Sequence, residues 1–473
     1  RFPSGEFHSL NYAAEVYKKP TRTENTTRRV SVLASANYTW NDIYLVDASV
    51  RFDGSSEFGA NQKWAPFFSG GLGVNIHNYD FFKSNGYINK LKLRASYGRT
   101  GKVNFPAYAA TTMYETLFDE WYITGYGAVL KALGNKDLTW EKTDKLSVGI
   151  ETKTFHDRLT VDFEYYYNKT IDLVNDVTLS QTSGFSTYKD NMGQVANKGV
   201  ELKLRADIYR DRNWNVALWG NMAHNKNEIL KISDSQKAYN ERVAAYYKNE
   251  ALYQETLGLS HGAEYSVPLP QYEEGASLTS IWAVRSLGID PTTGKEIFLN
   301  RDGSIADKWN AAQEVVVGNT EPKCSGAFGL NLSYKNWTLF ASFLYEWGGQ
   351  EYNQTLVNNV ENADLVNKNV DLRVLTDRWK KPGDIAQFKD IKDRGMTTLP
   401  TSRFVQDKAL VRLNSLNVSY DFNRDWIKKH LRMNLLRLEA STSDLINWSS
   451  IKQERGLSYP RSWKVEFSLK AQF

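Results

Sequence analysis

The residue types that could do chemistry are scattered through this chain without the spacings that reactions require. Its six histidines show no metal-ligand spacing, and no Gly-x-Ser-x-Gly nucleophile elbow occurs. Residues 70–73 (G-G-L-G) lie within a predicted strand and open no helix, so they are not a phosphate-binding loop. Residues 290–294 and 300–303 resemble parts of calcium-binding loops. They do not have the ligand spacing that such a loop requires, and ordinary turns explain them better. The sequence therefore predicts no catalysis, no metal and no cofactor.

Aromatic side chains in the predicted loops are the remaining candidates for contact with a ligand. Flat rings stack on sugar faces and on peptide side chains. The candidate substrate-binding residues are Trp121, Tyr122, Tyr126, Trp282 and Trp379. Packing within the loops, or contact with a protein partner, is the alternative interpretation for each ring.

Charge, cysteine content and hydropathy exclude several classes of protein. The 59 basic and 54 acidic residues are interspersed, which does not indicate a nucleic-acid partner. The single cysteine, Cys324, forms no internal disulfide and no Cys-based metal cluster, and we expect it to be a small buried filler. The absence of any long apolar run excludes a helical membrane protein. It does not exclude a β-barrel, because only alternate residues of a barrel strand need to be apolar.

The elements that must position the loops are long strands with period-two alternation. Leu159, Val161, Phe163, Tyr165 and Tyr167 share one face of such a strand, and mostly polar residues lie between them. The pattern predicts an all-β, antiparallel fold with about 13 strands. They are 28–40, 42–53, 63–76, 88–99, 140–154, 158–170, 191–209, 213–226, 325–334, 337–347, 404–422, 431–446 and 461–473, with 5–17 as a further candidate. Many have the length that a tilted strand needs to cross a bilayer, about 9–11 residues.

Two of these strands change phase. The apolar series shifts between Leu413 and Leu416, and Leu435 is followed directly by Leu436. A β-bulge at each place would re-aim the two faces, so we expect a bulge in both strands.

The predicted connections alternate between short and long. The long ones are 54–62, 100–138, 171–190, 227–324, 348–402 and 448–460. Outer-membrane barrels have short periplasmic turns and long extracellular loops, so a periplasmic C-terminus places every long connection outside the cell. This requires the strand-like stretches 278–286 and 295–300 to form a hairpin within one large external loop.

The apolar faces predict contact with lipid. No charge interrupts the faces that begin at Leu159, Val200 and Trp463, whereas the opposite faces carry charge freely. A soluble β-sandwich also keeps charge out of its core, but its strands are usually shorter. Aromatic residues at the strand ends predict the girdles of a membrane barrel: Tyr38, Trp40, Tyr44, Tyr165, Tyr167, Trp337, Tyr345, Trp347 and Trp463. The terminal Phe473 resembles the signal that such barrels present to the barrel-assembly machinery.

Several stretches resemble the SusC/RagA family of TonB-dependent transporters. The resemblance spans about residues 44 to 420 in family order. Its motifs are 50–58 (V-R-F-D-G-S-S-E-F), 63–69 (K-W-A-P-F-F-S), 91–101 (L-K-L-R-A-S-Y-G-R-T-G), 135–143 (N-K-D-L-T-W-E-K-T), 191–201 (N-M-G-Q-V-A-N-K-G-V-E), 318–323 (G-N-T-E-P-K) and 402–407 (S-R-F-V-Q-D). The sequence departs from the family pattern at Lys136, where proline is usual, and at 440–445, where the family usually has an Asn-Leu pair.

The resemblance implies a transmembrane β-barrel of about 22 strands. Residues 1–473 would be its C-terminal portion, and the plug and the N-terminal strands would lie in a longer precursor. It implies TonB-dependent import of an oligosaccharide or peptide across the outer membrane of a Gram-negative bacterium. A SusD-like surface lipoprotein would cover the loops, and TonB would act through the missing plug region. No bond is made or broken in this role.

Two other functions compete with this interpretation. A passive porin or adhesin-type barrel would have the same strands but no plug or energy-coupling segment upstream. A soluble carbohydrate-binding or enzymatic β-protein, such as a propeller, predicts a repeat of about 40–50 residues, which the sequence does not show.

Overall fold

The computed structural model describes residues 25–83, 87–103, 105, 108–122, 125–132, 134–178, 187–191, 193–234, 236–238, 240–241, 272–367, 370–395, 398–422, 424–452 and 463–473. No helix among these residues combines the length and the apolar character that crossing a membrane requires. The predicted strand at 5–17 lies outside the described residues.

The dominant element is one antiparallel sheet in which each strand pairs with the next long strand along the chain. Strands are numbered β1 to β22 in chain order. The main path runs through β1 (Arg29–Trp40), β2 (Tyr44–Ser55), β3 (Trp64–Asn75), β4 (Ile88–Lys102), β7 (Glu141–Thr154), β8 (Leu159–Ile171), β11 (Gln194–Arg210), β12 (Trp214–Lys231), β17 (Cys324–Tyr334), β18 (Trp337–Tyr352), β19 (Val405–Asp421), β20 (Leu435–Thr442) and β22 (Val465–Gln472). The short strand β21 (Asn447–Ser449) pairs with β19. Each of the 13 strands predicted from the sequence overlaps one strand of this path.

The remaining elements lie in the connections. The short strands are β5 (Met113–Tyr122), β6 (Gly125–Ala132), β9 (Val174–Thr178), β10 (Thr187–Asn191), β13 (Ser280–Ile289), β14 (Glu296–Leu299), β15 (Ile305–Ala306) and β16 (Glu314–Asn319). The helical segments are Ile76–Asn78, Asp80–Lys83, Ala311–Gln313, Gln354–Leu356, Val357–Glu361, Arg373–Thr376, Ile391–Gly395, Ser402–Phe404 and Arg424–Leu431. Strands β13 to β16 form a separate sheet, here called the loop sheet, so the predicted hairpin within residues 227–324 is confirmed.

The strand register aligns apolar side chains across the sheet. Leu93, Ile150, Phe163, Leu202 and Met222 occupy one continuous row on five neighbouring strands. Because side chains alternate along a strand, this row and its equivalents at steps of two form one face, here called the apolar face. Large side chains on this face are exposed, and Phe467 on β22 is 76% accessible. These rings are therefore not sealed inside a water-soluble core.

The connections segregate by length, as the sequence predicts. Those at one end of the sheet, here called the turn end, include 41–43, 155–158, 211–213 and 335–336. The long connections lie at the opposite end, here called the loop end. Helical turns occur in the two longer connections at the turn end, including Arg424–Leu431 between β19 and β20.

One predicted bulge is confirmed and the other is wrong. In β19, Leu413 pairs with Phe343 and Ser415 pairs with Ser342, so Asn414 is the extra residue. In β20, the register runs without interruption from Leu435 opposite Gln472. The predicted strand 431–446 began too early, because a helix occupies the chain up to Leu431 and the strand starts only at Leu435.

The buried hydrophobic clusters of the described residues lie at the loop end, where the long connections pack against the ends of the wall strands. In the first, the Phe58 and Trp140 rings stack at 4.3 Å between centroids, and Leu138 is fully buried beside them. The second fills the connection between β18 and β19, and the third lies at the loop end of β11 and β12. Their members include Leu356, Val357, Val360, Val374, Phe388 and Phe404 in the second, and Val195, Ile229 and Ile232 in the third.

Aromatic rings band the apolar face near both ends. At the turn end, Trp40 stacks on Tyr44 with centroids 5.5 Å apart, and Trp337 lies 4.8 Å from Tyr420. At the loop end, Trp347 lies beyond Tyr345 on the same face of β18. Rings in these positions are typical of the two interfaces of a membrane barrel.

Candidate functional site

The opposite side of the sheet, here called the polar face, carries ion pairs that cross several strands. The Arg94 guanidinium on β4 donates to Asp162 at 2.8 Å and to Glu164 at 2.6 Å, both on β8, across the intervening strand β7. Lys90 pairs with Glu151 at 2.6 Å on the same face. Charged groups at mid-strand need water or charged partners, so this face suits the wet interior of a barrel.

A hydrogen-bond network continues the polar face towards the loop end. The Tyr166 hydroxyl donates to Asn225 Oδ1 at 2.9 Å, and Asn197 Oδ1 accepts from the amides of Asn225 and Asn227. Glu321, which precedes β17, accepts from the Asn225 side chain and, at 3.1 Å, from the Asn227 main-chain amide. These contacts hold three strands and the end of the largest connection in one fixed geometry.

A shallow cavity of about 540 Å³ lies on this polar wall. It is lined by Ser96, Lys145, Leu146, Ser147, Glu164, Tyr166, Asn168, Asn197, Glu201 and Asn225. The lining combines hydroxyls, amides and charges of both signs. Such a surface can hydrogen-bond a polar solute such as a sugar or a peptide backbone, but it brings together no nucleophile and base.

The loop sheet docks on the connection between β18 and β19. The Val284 amide donates to Pro400 O at 3.1 Å, and the Ser286 amide donates to Ser402 Oγ at 2.9 Å. The Trp309 Nε1 also donates to Pro400 O, at 2.9 Å. These bonds join two connections that are far apart in the sequence into one layer, here called the loop layer.

A buried ion network is at the centre of the loop layer. Arg403 Nη2 lies 2.9 Å from Glu296 of the loop sheet and 2.7 Å from Glu361 of the neighbouring connection. All three side chains are nearly inaccessible to solvent. Burial by itself lowers the pKa of Arg403, but the hydrogen bonds and charges of the two carboxylates outweigh it and raise that pKa. The guanidinium therefore stays charged and clamps the two connections together.

Glu314 is a third buried acid of the loop layer, and its surroundings differ from those of Glu296 and Glu361. Both of its carboxylate oxygens are without a hydrogen-bond partner among the described residues. Burial raises its pKa to about 8, while the charge of Arg301 opposes the shift. At neutral pH the carboxyl group is therefore mostly protonated.

We expect the loop sheet to lose stability as the pH rises from about 4.5 to about 8. Ionisation of Glu314 costs free energy only in the folded layer, so its stabilising contribution is complete below the unfolded pKa near 4.5 and is lost by about pH 8. Amide hydrogen exchange of β13 to β16, corrected for the intrinsic rate, should accelerate between about pH 5 and about pH 8 and then level off. Glu314→Gln keeps the shape and removes the titration, so the variant should lose this acceleration. Identical pH profiles for both proteins would contradict the assignment.

The structure places the sequence-predicted aromatic residues in three separate connections. Trp121 pairs with Tyr126, and Tyr122 with Gly125, in the backbone register at the end of the β5–β6 hairpin. Trp282 lies half-buried on β13 opposite Val316.

Trp379 is the most enclosed of these rings whose side chain is described. It is 8% exposed, and its Nε1 donates to Pro291 O at 2.8 Å. Its ring occupies the space where a Cβ on Gly294 would lie, 2.5 Å from the ring, and Gly294 also has a positive φ of 73°. In this conformation Trp379 holds the turn between β13 and β14. Contact of these aromatic residues with a ligand stays a prediction.

Three smaller sequence predictions also have outcomes. Residues 70–73 lie within β3, and residues 290–294 and 300–303 form hydrogen-bonded turns, as predicted. Cys324 is half-buried and not fully buried, with its thiol 3.8 Å from the Tyr345 hydroxyl. In the described part of the chain, no three His, Cys, Asp or Glu side chains are grouped so that they could hold a metal ion.

The network around Asn225 and the buried acids are functional candidates that sequence reasoning missed. Asparagines on the polar side of β11 and β12 were visible as an alternating series, and Glu321 lies in the recognised motif at 318–323. Their mutual contacts depend on strand register, which alternation alone does not fix.

An exposed apolar face, a charged polar face and a packed layer of loops at one end together define an outer-membrane β-barrel. The chain belongs to the family described as TonB dependent receptor-like, beta-barrel, which matches residues 3–441. The family recognised from the sequence motifs is thus confirmed.

Known proteins agree with this assignment. The chain is 27% identical to TonB-dependent receptor P39 of Formosa agariphila over all of its length and 49% of that protein. It is 31% identical to TonB-dependent receptor SusC of Bacteroides thetaiotaomicron over 45% of its length and 21% of that protein. The structure of the RagAB peptide importer in its 'open-open' state shares the fold, with a TM-score of 0.76 at 23% identity over 94% of this chain and 47% of that chain. The chain therefore spans about half the length of these relatives or less.

Proposed function

We propose that this chain forms the C-terminal part of the barrel of a TonB-dependent importer, which carries an oligosaccharide or peptide across the outer membrane. The plug, the TonB-contacting segment and the first barrel strands would belong to the part of the protein that this chain does not span. The chain would contribute wall and loops and would catalyse no reaction.

One observation supports the proposal above the others. The register sorts side chains into an apolar row such as Leu93, Ile150 and Phe163, and a polar row one residue away that includes Arg94 and Glu164. A wall with hydrocarbon on one side and water on the other needs this separation. The charged interior suits solutes that a purely apolar channel would reject.

The loop layer is the proposed platform for a SusD-like surface lipoprotein. The buried clusters and the Arg403 network give the long connections a defined shape, as a docking surface for a rigid partner requires. Cargo would be held between this partner and the polar wall, where loop aromatics such as Trp282 are the proposed contacts. The barrel-assembly machinery would read Phe473, which is 79% exposed after β22.

The proposal predicts energy-dependent uptake with a lipoprotein partner. The full-length protein, carrying an affinity tag, should co-purify with one outer-membrane lipoprotein in about equal amounts. Uptake of its glycan or peptide cargo by the host should fall to background when TonB is deleted. A matched strain that expresses an unrelated porin controls for general loss of outer-membrane integrity.

Two results would contradict the proposal. Uptake that persists without TonB would indicate a passive pore. Recovery of the protein without any lipoprotein, under conditions that preserve membrane complexes, would contradict the proposed lipoprotein lid.

A further inference from the structure

The short strand β17 leaves a notch in the rim of the wall at the loop end. Its last pair with β12 joins Ser325 to Ala223, although β12 continues to Lys231. Its other neighbour, β18, continues to Tyr352. A cavity of about 550 Å³ occupies the gap between these two longer strands.

Part of the notch lining, including His224, Lys226 and Trp347, belongs to the apolar face, whereas Asn225 belongs to the polar face. His224 and Lys226 follow Met222 at steps of two, and Trp347 follows Tyr345 in the same way. Trp347 is 69% exposed. The notch is therefore open towards the membrane at the height where the apolar band ends.

The segment before β17 packs closely against both neighbouring strands at the notch. Gly348 has a positive φ of 80°, and a Cβ there would lie 2.9 Å from Lys323 Cβ. The His224 Nδ1 donates to the Lys323 carbonyl oxygen at 2.7 Å. That bond fixes the segment that carries Lys323 beside β12.

Cations outnumber anions on this part of the apolar face. Lys198 lies directly opposite Lys226 in the register, and one carboxylate, Glu228, lies 4.0 Å from the first and 3.5 Å from the second. Lys169 on β8 adds a further positive charge on this face, and Lys323 lines the cavity from the segment that precedes β17. Of the acids that line the cavity, Glu321 accepts hydrogen bonds from Asn225 and Asn227, and Asp407 accepts one from Gln350. Lys408, also in the lining, pairs with Glu346 and Glu351.

We propose that this notch binds the phosphorylated sugar headgroup of an outer-leaflet glycolipid. Lysine side chains at a membrane interface attract anionic headgroups, and indole rings favour the same depth. Lys226 and Lys323 would contact the phosphate, Trp347 would pack against the sugar and upper acyl chain, and His224 would position Lys323. The inference rests on the proposed function only for placing the loop end at the cell surface.

Lipid binding by the full-length protein in detergent tests the proposal. After delipidation, monophosphoryl lipid A is added and the bound fraction is measured by native mass spectrometry. Lys226→Gln combined with Lys323→Gln should weaken binding at least about tenfold. The matched control, Lys145→Gln with Lys203→Gln, removes two exposed lysines from the polar face and should bind as the wild type does.

Further variants and competing ligands in the same experiment identify the ligand and exclude misfolding. Lys226→Arg with Lys323→Arg keeps the charges and should keep binding, which separates loss of charge from loss of fold. Dephosphorylated lipid A should bind weakly, and inorganic phosphate should not compete at the same concentration. Equal loss in both lysine pairs, no loss in either, or full competition by phosphate would each overturn the proposal. None of these readouts requires transport, so they remain informative if the protein is not an importer.

Discussion

Replacing Phe467 with arginine will remove most of the protein from the outer membrane, whereas Ser468→Arg will leave assembly close to that of the wild type. Phe467 lies on the exposed apolar face of β22, opposite Ala440 of β20. A lipid-facing arginine costs about 2–4 kcal/mol at the midplane of a bilayer and less towards the interfaces. Loss of the ring from the apolar band adds to this cost.

Ser468 is a stringent control because it is the next residue of the same strand. It points to the polar face, where its partner in the register is Glu439. An arginine there gains an acidic neighbour and stays in water. The amount of folded, heat-modifiable protein in the outer-membrane fraction is the measurement. Equal amounts of the two variants would refute the assignment of the faces.

Arg403→Met will detach the loop sheet from its neighbouring connection without unfolding the wall. The change leaves the carboxylates of Glu296 and Glu361 buried without their cation. Removing one partner of a buried ion network typically costs about 3–5 kcal/mol. Hydrogen exchange in β13 to β16 and in residues 353–367 should therefore rise steeply, while exchange in β7 and β8 stays unchanged.

Arg285→Met is the matched control for this prediction. Arg285 lies on β13 of the same loop sheet, but its side chain is exposed. Its removal should change exchange little, since exposed charges contribute about 0–1 kcal/mol. If both variants exchange alike, the buried network does not hold the layer together.

The strands of the wall could be predicted from the sequence because side-chain alternation depends only on residues that are close together in the chain. Side-chain alternation fixes which residues of a strand share a face, and strands such as β8 and β11 were found near their predicted bounds. The bulge at Asn414 was predictable for the same reason, since a phase change in the apolar series requires an extra residue. The bulge expected at Leu435 failed because alternation does not show where a preceding helix ends.

The loop layer was much less predictable. The β5–β6 and β9–β10 hairpins are additional to the predicted strands, because short strands inside long connections carry weak alternation. The contact between Arg403 and Glu296 joins residues 107 positions apart. Burial of Glu314 depends equally on tertiary packing, and a lone glutamate in a sequence gives no sign of it.

The packed cluster of the connection between β18 and β19 has an evolutionary consequence, because all of its buried members lie outside the strands of the wall. A recombination event that exchanges the gene segment encoding the connection between two adjacent β-strands would introduce a pre-packed module together with its own hydrophobic interior. Paralogues could thus acquire new cargo preferences in single steps while inheriting an unaltered scaffold. On heating, the same separation predicts that the imported modules melt as independent units before the scaffold does.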